Sequence, residues 1–202
     1  METLDLRKLL KSYYSAPVSS PILIDIPPFN YLMIDGQGDP NTSPQYEAAV
    51  QVLYSLAYTL KFAIRKSAGV DYPVMGLEGL WWAENMLEFS AHRKDEWLWT
   101  MMMLQPDLVT PSALKQAMQD VERKKPGLPL EKVRLEAFLE GKCAQVMHIG
   151  PYAAEAPTIA RLHEFIFSQG LQRRGKHHEI YLGDPRRTAP EKLRTILRQP
   201  VE

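Results

Sequence analysis

The residues best suited to chemistry stand together in one short segment late in the chain, from His177 to Tyr181. If this segment is a β-strand, its side chains alternate between two faces, so His177, Glu179 and Tyr181 share one face. A carboxylate beside a phenol can neutralise a cationic ligand or accept a proton from a reacting group. Glu179 is therefore the first candidate for a binding or catalytic residue, with Tyr181 beside it. A solvent-exposed glutamate on an edge strand is the alternative.

Two adjacent tryptophans, Trp81 and Trp82, are the second candidate. Because neighbouring strand residues face opposite ways, at most one of them lines a given cavity unless a bulge intervenes. Trp81 shares its face with Gly79, whereas Trp82 shares the face of Glu78. A tryptophan ring attracts flat molecules and cations, with a cation–π contribution of roughly 0.5–2 kcal/mol. Two tryptophans that cap the core are the alternative.

Glu78 is a candidate counterpart of Glu179 in the first half of the chain. It stands between Gly76 and Gly79, and glycines inside a strand mark places where backbone or ligand approaches closely. A carboxylate in such a place could also serve as an acid or base. An ordinary strand glutamate beside flexible glycines is the alternative.

The sequence contains no pattern for a metal or a cofactor. Cys143 is the only cysteine, so neither an internal disulfide nor a cysteine-based metal site can form. The phosphate loop, the dinucleotide fingerprint and the nucleophile elbow are missing. None of the five histidines has a metal-ligand spacing; they are His92, His148, His163, His177 and His178. We therefore expect no metal and no cofactor.

Charge and hydropathy argue against nucleic acid and membranes as partners. Lys+Arg and Asp+Glu both number 24 in 202 residues, so no net field attracts nucleic acid or an acidic membrane surface. The first residues lack the apolar core of a signal peptide, and no apolar run approaches the roughly 18 residues that span a bilayer. We expect a cytoplasmic protein that binds neither nucleic acid nor membrane, and composition leaves the oligomeric state open.

Strands and helices alternate around the candidate residues. The clearest helix is 44–67, which Ser43 caps, Pro44 begins and Gly69 ends. The turn Glu140-Gly141-Lys142 predicts a hairpin, and His92-Arg93-Lys94-Asp95 predicts another turn. The other predicted elements are strands at 22–26, 29–34, 74–83 and 98–104, a helix at 111–125, strands at 133–139 and 143–149, a helix at 153–168, and strands at 178–182 and 195–201.

The order strand–helix–strand–strand occurs twice. The first strand of each copy ends in glycine, at Gly36 and Gly150, and Gln-Pro closes each last strand, at Gln105 and Gln199. Two copies of one unit predict an α+β fold of pseudo-symmetric repeats, with an antiparallel sheet, helices on one face and a ligand cavity between the repeats. Chance similarity of short units is the alternative. The predicted organisation is an N-terminal helix and lead-in at 1–21, then one domain at 22–201, with repeats at 22–106 and 133–201 and a helix and linker at 107–132.

Two motifs of the second half resemble the GyrI-like small-molecule-binding family. The strand that ends in His148-Ile149-Gly150-Pro151-Tyr152 fits the family's His-x-Gly-x-Tyr, and Glu179-Ile180-Tyr181 fits its Glu-x-Tyr, followed by Asp184-Pro185. Gly79-Leu80-Trp81-Trp82 looks like a free-standing subfamily, some members of which are cyclopropanoid cyclopropyl hydrolases. The resemblance covers residues 22–201. No helix-turn-helix region accompanies it, so we do not expect the transcription-activator role of some members.

The resemblance implies a binder of bulky flat or cationic small molecules, such as drug-like xenobiotics, with a role in cellular protection. The implied aromatic cavity has Glu179 as its central carboxylate and is lined by Trp81 or Trp82, Tyr152 and Tyr181. One alternative is a hydrolase that opens the cyclopropane ring of cyclopropanoid DNA-alkylating compounds, with Glu179 or Glu78 as general base and Tyr181 supporting the oxyanion. A further alternative is an inhibitor of another protein, of the gyrase-inhibitor type.

Overall fold

A computed structural model describes residues 2–84 and 94–202 of the chain. The His92 and Arg93 positions of one predicted turn lie outside the described residues. The strands are β1 (Glu2–Thr3), β2 (Ile22–Ile26), β3 (Phe29–Gln37), β4 (Val70–Asp71), β5 (Glu78–Trp82), β6 (Leu98–Gln105), β7 (Arg134–Phe138), β8 (Gly141–Ile149), β9 (His177–Tyr181) and β10 (Arg194–Pro200). The helices are α1 (Leu6–Leu9), α2 (Pro44–Ala68), α3 (Pro111–Lys124) and α4 (Ala156–Ser168).

Local signals explain where the long helices begin and end. The Ser43 hydroxyl accepts a hydrogen bond from the Tyr46 amide, and Pro44 occupies the first turn of α2. Gly69 ends α2 in the left-handed conformation, with φ of 68°, which costs glycine little. Thr110 caps α3 in the same way. Each helix of the described chain is too short or too polar to span a bilayer.

The described chain divides into two compact units. Unit 1 comprises Met1–Leu9, Phe29–Met75 and Trp82–Phe138, and unit 2 comprises Leu10–Pro28, Gly76–Trp81 and Leu139–Glu202. In unit 1, β3 pairs antiparallel with β6 and β7, and β1 pairs parallel with β4. In unit 2, β8 pairs antiparallel with β2 and β10, and β9 pairs antiparallel with β10 and with residues 78–81 of β5.

The predicted α+β class is confirmed. Apart from the short strand β4, which pairs with β1, the strand–helix–strand–strand order occurs twice along the chain, as β3–α2–β5–β6 and as β8–α4–β9–β10. In both copies the first strand pairs antiparallel with the last. Whether the two copies superpose, and whether they enclose a ligand cavity, stays a prediction.

The hairpin predicted at Glu140-Gly141-Lys142 is wrong. Instead of pairing with each other, β7 pairs with β3 in unit 1, and β8 pairs with β2 and β10 in unit 2. The physical reason lies in Glu140, which is 2% exposed and accepts hydrogen bonds from His178 and Arg198. A carboxylate held in this way is fixed in the interior of unit 2 and cannot occupy a solvated hairpin turn.

The sheet of unit 2 has two faces, and each is packed over part of its area. On the helix face, Leu162 and Ile166 of α4 pack with Ala144, Val146 and Leu197. The opposite face carries the buried residues Met147, Ile180 and Ile196, and Tyr14 and Ala16 pack against them. Tyr14 and Ala16 belong to residues 10–18, an irregular segment that we call the N-terminal strap. The face beneath it is called the strap face.

Helix α4 offers a matched test of this packing. Leu162 is fully buried, whereas Phe167 on the same helix is 83% exposed. We expect Leu162→Ala to lower the free energy of unfolding by about 2–5 kcal/mol, because it removes buried methyl groups and leaves a cavity. Phe167→Ala should change it by less than about 0.5 kcal/mol. Urea unfolding followed by circular dichroism measures both, and equal losses would contradict the assigned faces of α4.

Candidate functional site

The register of β9 against β5 decides which candidate residues meet. Gly79 lies opposite Glu179 and Trp81 lies opposite His177, and opposed residues of an antiparallel pair project to the same face. His177, Glu179, Tyr181 and Trp81 therefore share one side of the sheet. On β10, Leu197 lies opposite Glu179, so this side is the helix face.

A chain of hydrogen bonds links the aromatic residues to the carboxylate. The indole Nε1–H of Trp81 donates to the Tyr181 hydroxyl oxygen at 3.2 Å. That hydroxyl donates in turn to Glu179 Oε2 at 2.7 Å. Tyr152, at the start of a short 3₁₀ turn, lies edge-on to Tyr181 with ring centroids 5.4 Å apart. The order Trp81, Tyr181, Glu179 orients each donor and fixes the carboxylate next to three rings.

Gly76 permits the approach of β5 to Tyr181. A Cβ at this position would lie 2.6 Å from the Tyr181 carbonyl oxygen, a backbone atom that cannot swing away. The Tyr181 amide donates to the Leu77 carbonyl at 3.1 Å. The glycine that the sequence marked beside Glu78 is thus required for backbone approach, and this approach positions Tyr181.

Glu179 keeps one oxygen without a close donor among the described residues. Its side chain is 14% exposed, and Oε2 accepts the Tyr181 proton. Its Oε1 lies 3.6 Å from His177 Nε2, which is longer than a hydrogen bond. Within the described chain, His177 Nε2 is buried and has no hydrogen-bond partner. The face therefore presents a carboxylate oxygen and an imidazole nitrogen side by side.

Exposure differs among the aromatic members of this group, which we call the aromatic–acidic cluster (Trp81, Tyr152, His177, Glu179 and Tyr181). Trp81 is 2% exposed and is fixed by its surroundings, whereas Tyr152 is 39% exposed at the edge. Flat aromatic rings and a partly buried carboxylate can contact an apolar surface and neutralise a positive charge at the same time.

Glu78 and Trp82 do not join the cluster. Glu78 lies opposite Ile180, so its side chain projects to the strap face, and it is fully buried there. Strand alternation turns Trp82 to the same side as Glu78 and away from Trp81. The two glutamates proposed as counterparts thus lie on opposite faces of one sheet.

On the strap face, Glu78 belongs to a buried charged network. His178 places Nε2 3.0 Å from Glu78 Oε2 and Nδ1 2.9 Å from Glu140 Oε1. Arg198 donates from Nη1 to Glu140 Oε2 at 3.0 Å and from Nε to Gln145 Oε1 at 3.0 Å. We call Glu78, Glu140, His178 and Arg198 the buried quartet. Two carboxylates face two cationic side chains, so the charges balance when His178 is protonated.

The protonation of the quartet follows from its geometry. Both His178 nitrogens face carboxylate oxygens, so an imidazolium with two N–H groups satisfies both contacts. Burial would lower the pKa of His178, but the charges and hydrogen bonds of Glu140 and Glu78 raise it above its ordinary value. Burial would raise the pKa of Glu140, but the charges of His178 and Arg198 lower it to about 2.

Sequence reasoning missed Glu140 and Arg198. Glu-Gly-Lys has the composition of an exposed turn, and Arg198 stands in an otherwise ordinary last strand. The available signal was His178, a histidine that alternates with Ile180 and Leu182 on the apolar side of its strand. A histidine on such a face requires partners for both nitrogens, and charged residues elsewhere in the chain are the natural ones.

Among the described residues, neither metal-ligand geometry nor the lining of a pocket adds a residue to the aromatic–acidic cluster. No group of three or more His, Cys, Asp or Glu side chains within residues 2–84 and 94–202 could hold a metal ion. An open pocket of about 220 Å³ lies in unit 1, and none of its lining residues belongs to the predicted site. They are Ile34, Asp35, Pro44, Gln45, Ala48, Trp99, Pro129 and Lys132.

Known proteins share this fold over nearly the full chain. The sequence model of the GyrI-like small molecule binding domain matches residues 19–202. An uncharacterized conserved protein from Listeria innocua is 42% identical over 98% of this chain and 100% of that chain, with a TM-score of 0.92. A hydrolase from Listeria innocua is 40% identical over 98% of this chain and 100% of that chain, with a TM-score of 0.85. No protein of curated function matches the sequence.

A more distant structure shares the fold alone. The C-terminal domain of EcmrR is 12% identical over 91% of this chain and 97% of that domain, with a TM-score of 0.57. The α+β architecture and the family match define the class as a small-molecule-binding domain. The chain belongs to the GyrI-like family, as the match of the family model to residues 19–202 establishes.

The buried quartet predicts a pH dependence of stability. The pKa of Glu140 is lower in the folded chain than its ordinary 4.5, so its contribution is complete above 4.5 and is lost as the pH falls towards 2. The pKa of His178 is raised above 6.5, so its contribution is complete below 6.5 and is lost as the pH rises through the raised value. Urea unfolding at a series of pH values should show the free energy of unfolding falling below pH 4.5 and falling again as the pH rises above 6.5.

Glu140→Gln should lower the free energy of unfolding by roughly 3–5 kcal/mol near neutral pH, because it leaves buried cations unpaired. The free energy of unfolding should then change less between pH 4.5 and 2, since the group that titrates there is gone. Glu136→Gln is the control, because Glu136 is half-exposed and pairs with Arg134 at the surface, a contact worth about 0–1 kcal/mol. Equal pH profiles for the two variants would contradict the charged quartet.

Proposed function

We propose that the protein binds bulky, flat or cationic small molecules at the aromatic–acidic cluster of unit 2. The observation that carries the proposal is Glu179 Oε1, a carboxylate oxygen beside aromatic rings with no hydrogen-bond donor closer than His177 Nε2 at 3.6 Å among described residues. No lysine or arginine of the described chain forms an ion pair with Glu179. A cationic ligand supplies the missing positive charge, and its flat apolar surface covers the partly exposed rings of Tyr152 and Tyr181.

Electrostatics and aromatic contact favour the same ligand. A cation near Glu179 gains Coulomb energy that grows as water is excluded, and the ring faces add a cation–π term of roughly 0.5–2 kcal/mol. The hydrogen bond from Tyr181 lets Glu179 stay oriented before the ligand arrives, which reduces the entropy lost on binding. Membership of a family of small-molecule-binding domains supports this function.

The two tryptophans test which face binds. Trp81→Phe removes the indole N–H that orients Tyr181 and part of the ring surface, so the Kd for N-methylphenanthridinium should rise roughly two- to tenfold. Trp82→Phe is the matched control and should leave the Kd unchanged, since its side chain points to the other side. Quenching of the remaining tryptophans follows binding in both variants. A larger loss for Trp82→Phe than for Trp81→Phe would exclude this face.

A hydrolase is the second candidate function, because a relative 40% identical over nearly the whole chain is described as a hydrolase. The substrate class is a cyclopropane conjugated to a carbonyl, as in cyclopropanoid alkylating compounds. Water attacks a ring carbon and Glu179 takes its proton, while the breaking carbon–carbon bond delivers its electron pair to the carbonyl, which is then protonated. Ring strain lowers the barrier, so positioning and one base suffice.

The Glu179→Gln variant should have different effects in a binder and in a hydrolase. The substitution keeps the size of the side chain and removes its charge and basicity. For a binder, the variant should weaken N-methylphenanthridinium by roughly tenfold, the effect of losing a charged partner, and leave neutral phenanthridine unchanged. For a hydrolase, a neutral cyclopropane substrate should still bind while its turnover slows by about 10²–10⁴-fold.

Glu164→Gln is the control for this experiment, since it removes an exposed carboxylate from the same unit. Tryptophan quenching measures the affinities, and chromatography of the ring-opened product measures turnover on the same preparation. Unchanged cation affinity together with unchanged turnover would remove Glu179 from the site.

A further inference from the structure

Two members of the buried quartet, Glu78 and His178, lie behind the aromatic–acidic cluster, on the other face of β5 and β9. We propose that Glu78 and His178 are positioning residues for the ligand site, and that the N-terminal strap sets their geometry through Tyr14. This inference rests on the proposed function, because it assigns a control of the same site. It predicts that a change in the strap alters ligand affinity without any contact to the ligand.

The strap is attached to the strap face by polar contacts as well as by packing. Tyr14 donates its hydroxyl proton to Glu78 Oε1 at 2.6 Å. Arg198 donates to the Tyr13 carbonyl, and Gln145 donates to the Ser15 carbonyl at 3.0 Å. The strap therefore reaches the quartet at two residues, Glu78 through Tyr14 and Arg198 through the Tyr13 carbonyl, and Arg198 also binds Glu140.

Glu78 is the residue through which the strap reaches β5. Its Oε1 accepts from Tyr14 and its Oε2 faces His178, so the carboxylate is held between strap and β9. It is fully buried, and a buried carboxylate that loses one donor retains the cost of its desolvation. The strand therefore has one favourable placement, in which both oxygens are satisfied.

The quartet and the cluster have members close together on both strands, as sequence neighbours on β9 and in the same short segment on β5. On β5, Glu78 is followed by Gly79, which lies opposite Glu179, and Trp81 lies two residues further on. On β9, His178 stands between His177 and Glu179. Only four residue pairs join β5 to β9, so the Glu78–His178 contact is a substantial part of what fixes their register.

The geometry on the ligand side depends on this register. The Trp81 indole reaches Tyr181 at 3.2 Å, and Tyr181 orients Glu179. A small displacement of β5 lengthens the Trp81–Tyr181 bond and thereby loosens the carboxylate that the ligand meets. Mutations behind a site commonly change coupling without touching the ligand, by amounts that correspond to roughly 2- to 30-fold in affinity.

Tyr14→Phe tests the inference with less risk to folding than Glu78→Gln or His178→Gln, because it leaves the charged groups of the quartet in place. The variant keeps the aromatic ring and removes the hydroxyl that donates to Glu78. The Kd for N-methylphenanthridinium should rise roughly 2- to 30-fold in buffer without denaturant, where the chain remains folded. Tyr58→Phe is the matched control, because Tyr58 is a half-exposed tyrosine on α2, and its Kd should equal that of the wild type.

A spectroscopic measurement separates positioning from stability alone. The indole N–H resonance of Trp81, identified by its loss in Trp81→Phe, should shift in Tyr14→Phe and stay in place in Tyr58→Phe. If Tyr14 only stabilises the fold, the urea midpoint falls while the Kd and the Trp81 resonance stay unchanged, and that result overturns the inference.

Glu179→Gln, measured beside Tyr14→Phe, distinguishes the two proposals. If Glu179→Gln weakens the cation and Tyr14→Phe does not, the proposed function stands and the positioning role falls. If Glu179→Gln has no effect on the cation, the proposed ligand site is wrong. The Trp81 resonance then still decides whether the strap acts across the sheet, and a resonance that does not move in Tyr14→Phe overturns that as well.

Discussion

Unit 2 depends on one imidazole ring that lies between two buried carboxylates. His178 contacts Glu78 with one nitrogen and Glu140 with the other, and Arg198 completes the charge balance from β10. Buried charges are costly unless each has a partner, so this network constrains the structure more tightly than apolar packing of the same area would. It connects β5, β9, β10 and the segment before β8 through hydrogen bonds.

The proposed ligand side of the sheet lies on the same two strands. Trp81 follows Glu78 on β5, and Glu179 and Tyr181 follow His178 on β9, which is why we propose that the quartet positions them. A site of this kind can combine a precise carboxylate position with an adaptable aromatic surface, which suits a family that binds small molecules.

Local chemistry made part of the fold predictable from the sequence. The bounds of α2 depend on Ser43, Pro44 and Gly69, which act on their own neighbours, and the predicted helix differs from the observed one by a single residue. The pairing of the strands was less accessible. Glu140 reads as a turn residue locally, yet its position is decided by His178 and Arg198, which are 38 and 58 residues away. Alternation separated Trp81 from Trp82, but only the register of β5 against β9 assigned Glu78 and Glu179 to opposite faces.

The division of the chain between the two units has a consequence for synthesis. Unit 2 is assembled from three separate stretches, and the last of them begins at Leu139. The strap and Glu78 therefore leave the ribosome long before their partners exist, since Glu78 and His178 are 100 residues apart. Contacts between residues so far apart in the sequence form late and slowly, because a long loop must close first. Until the last stretch has been made, β2 and the first residues of β5 have no strand of their own unit to pair with, and the nascent chain carries them as unpaired segments open to chaperones.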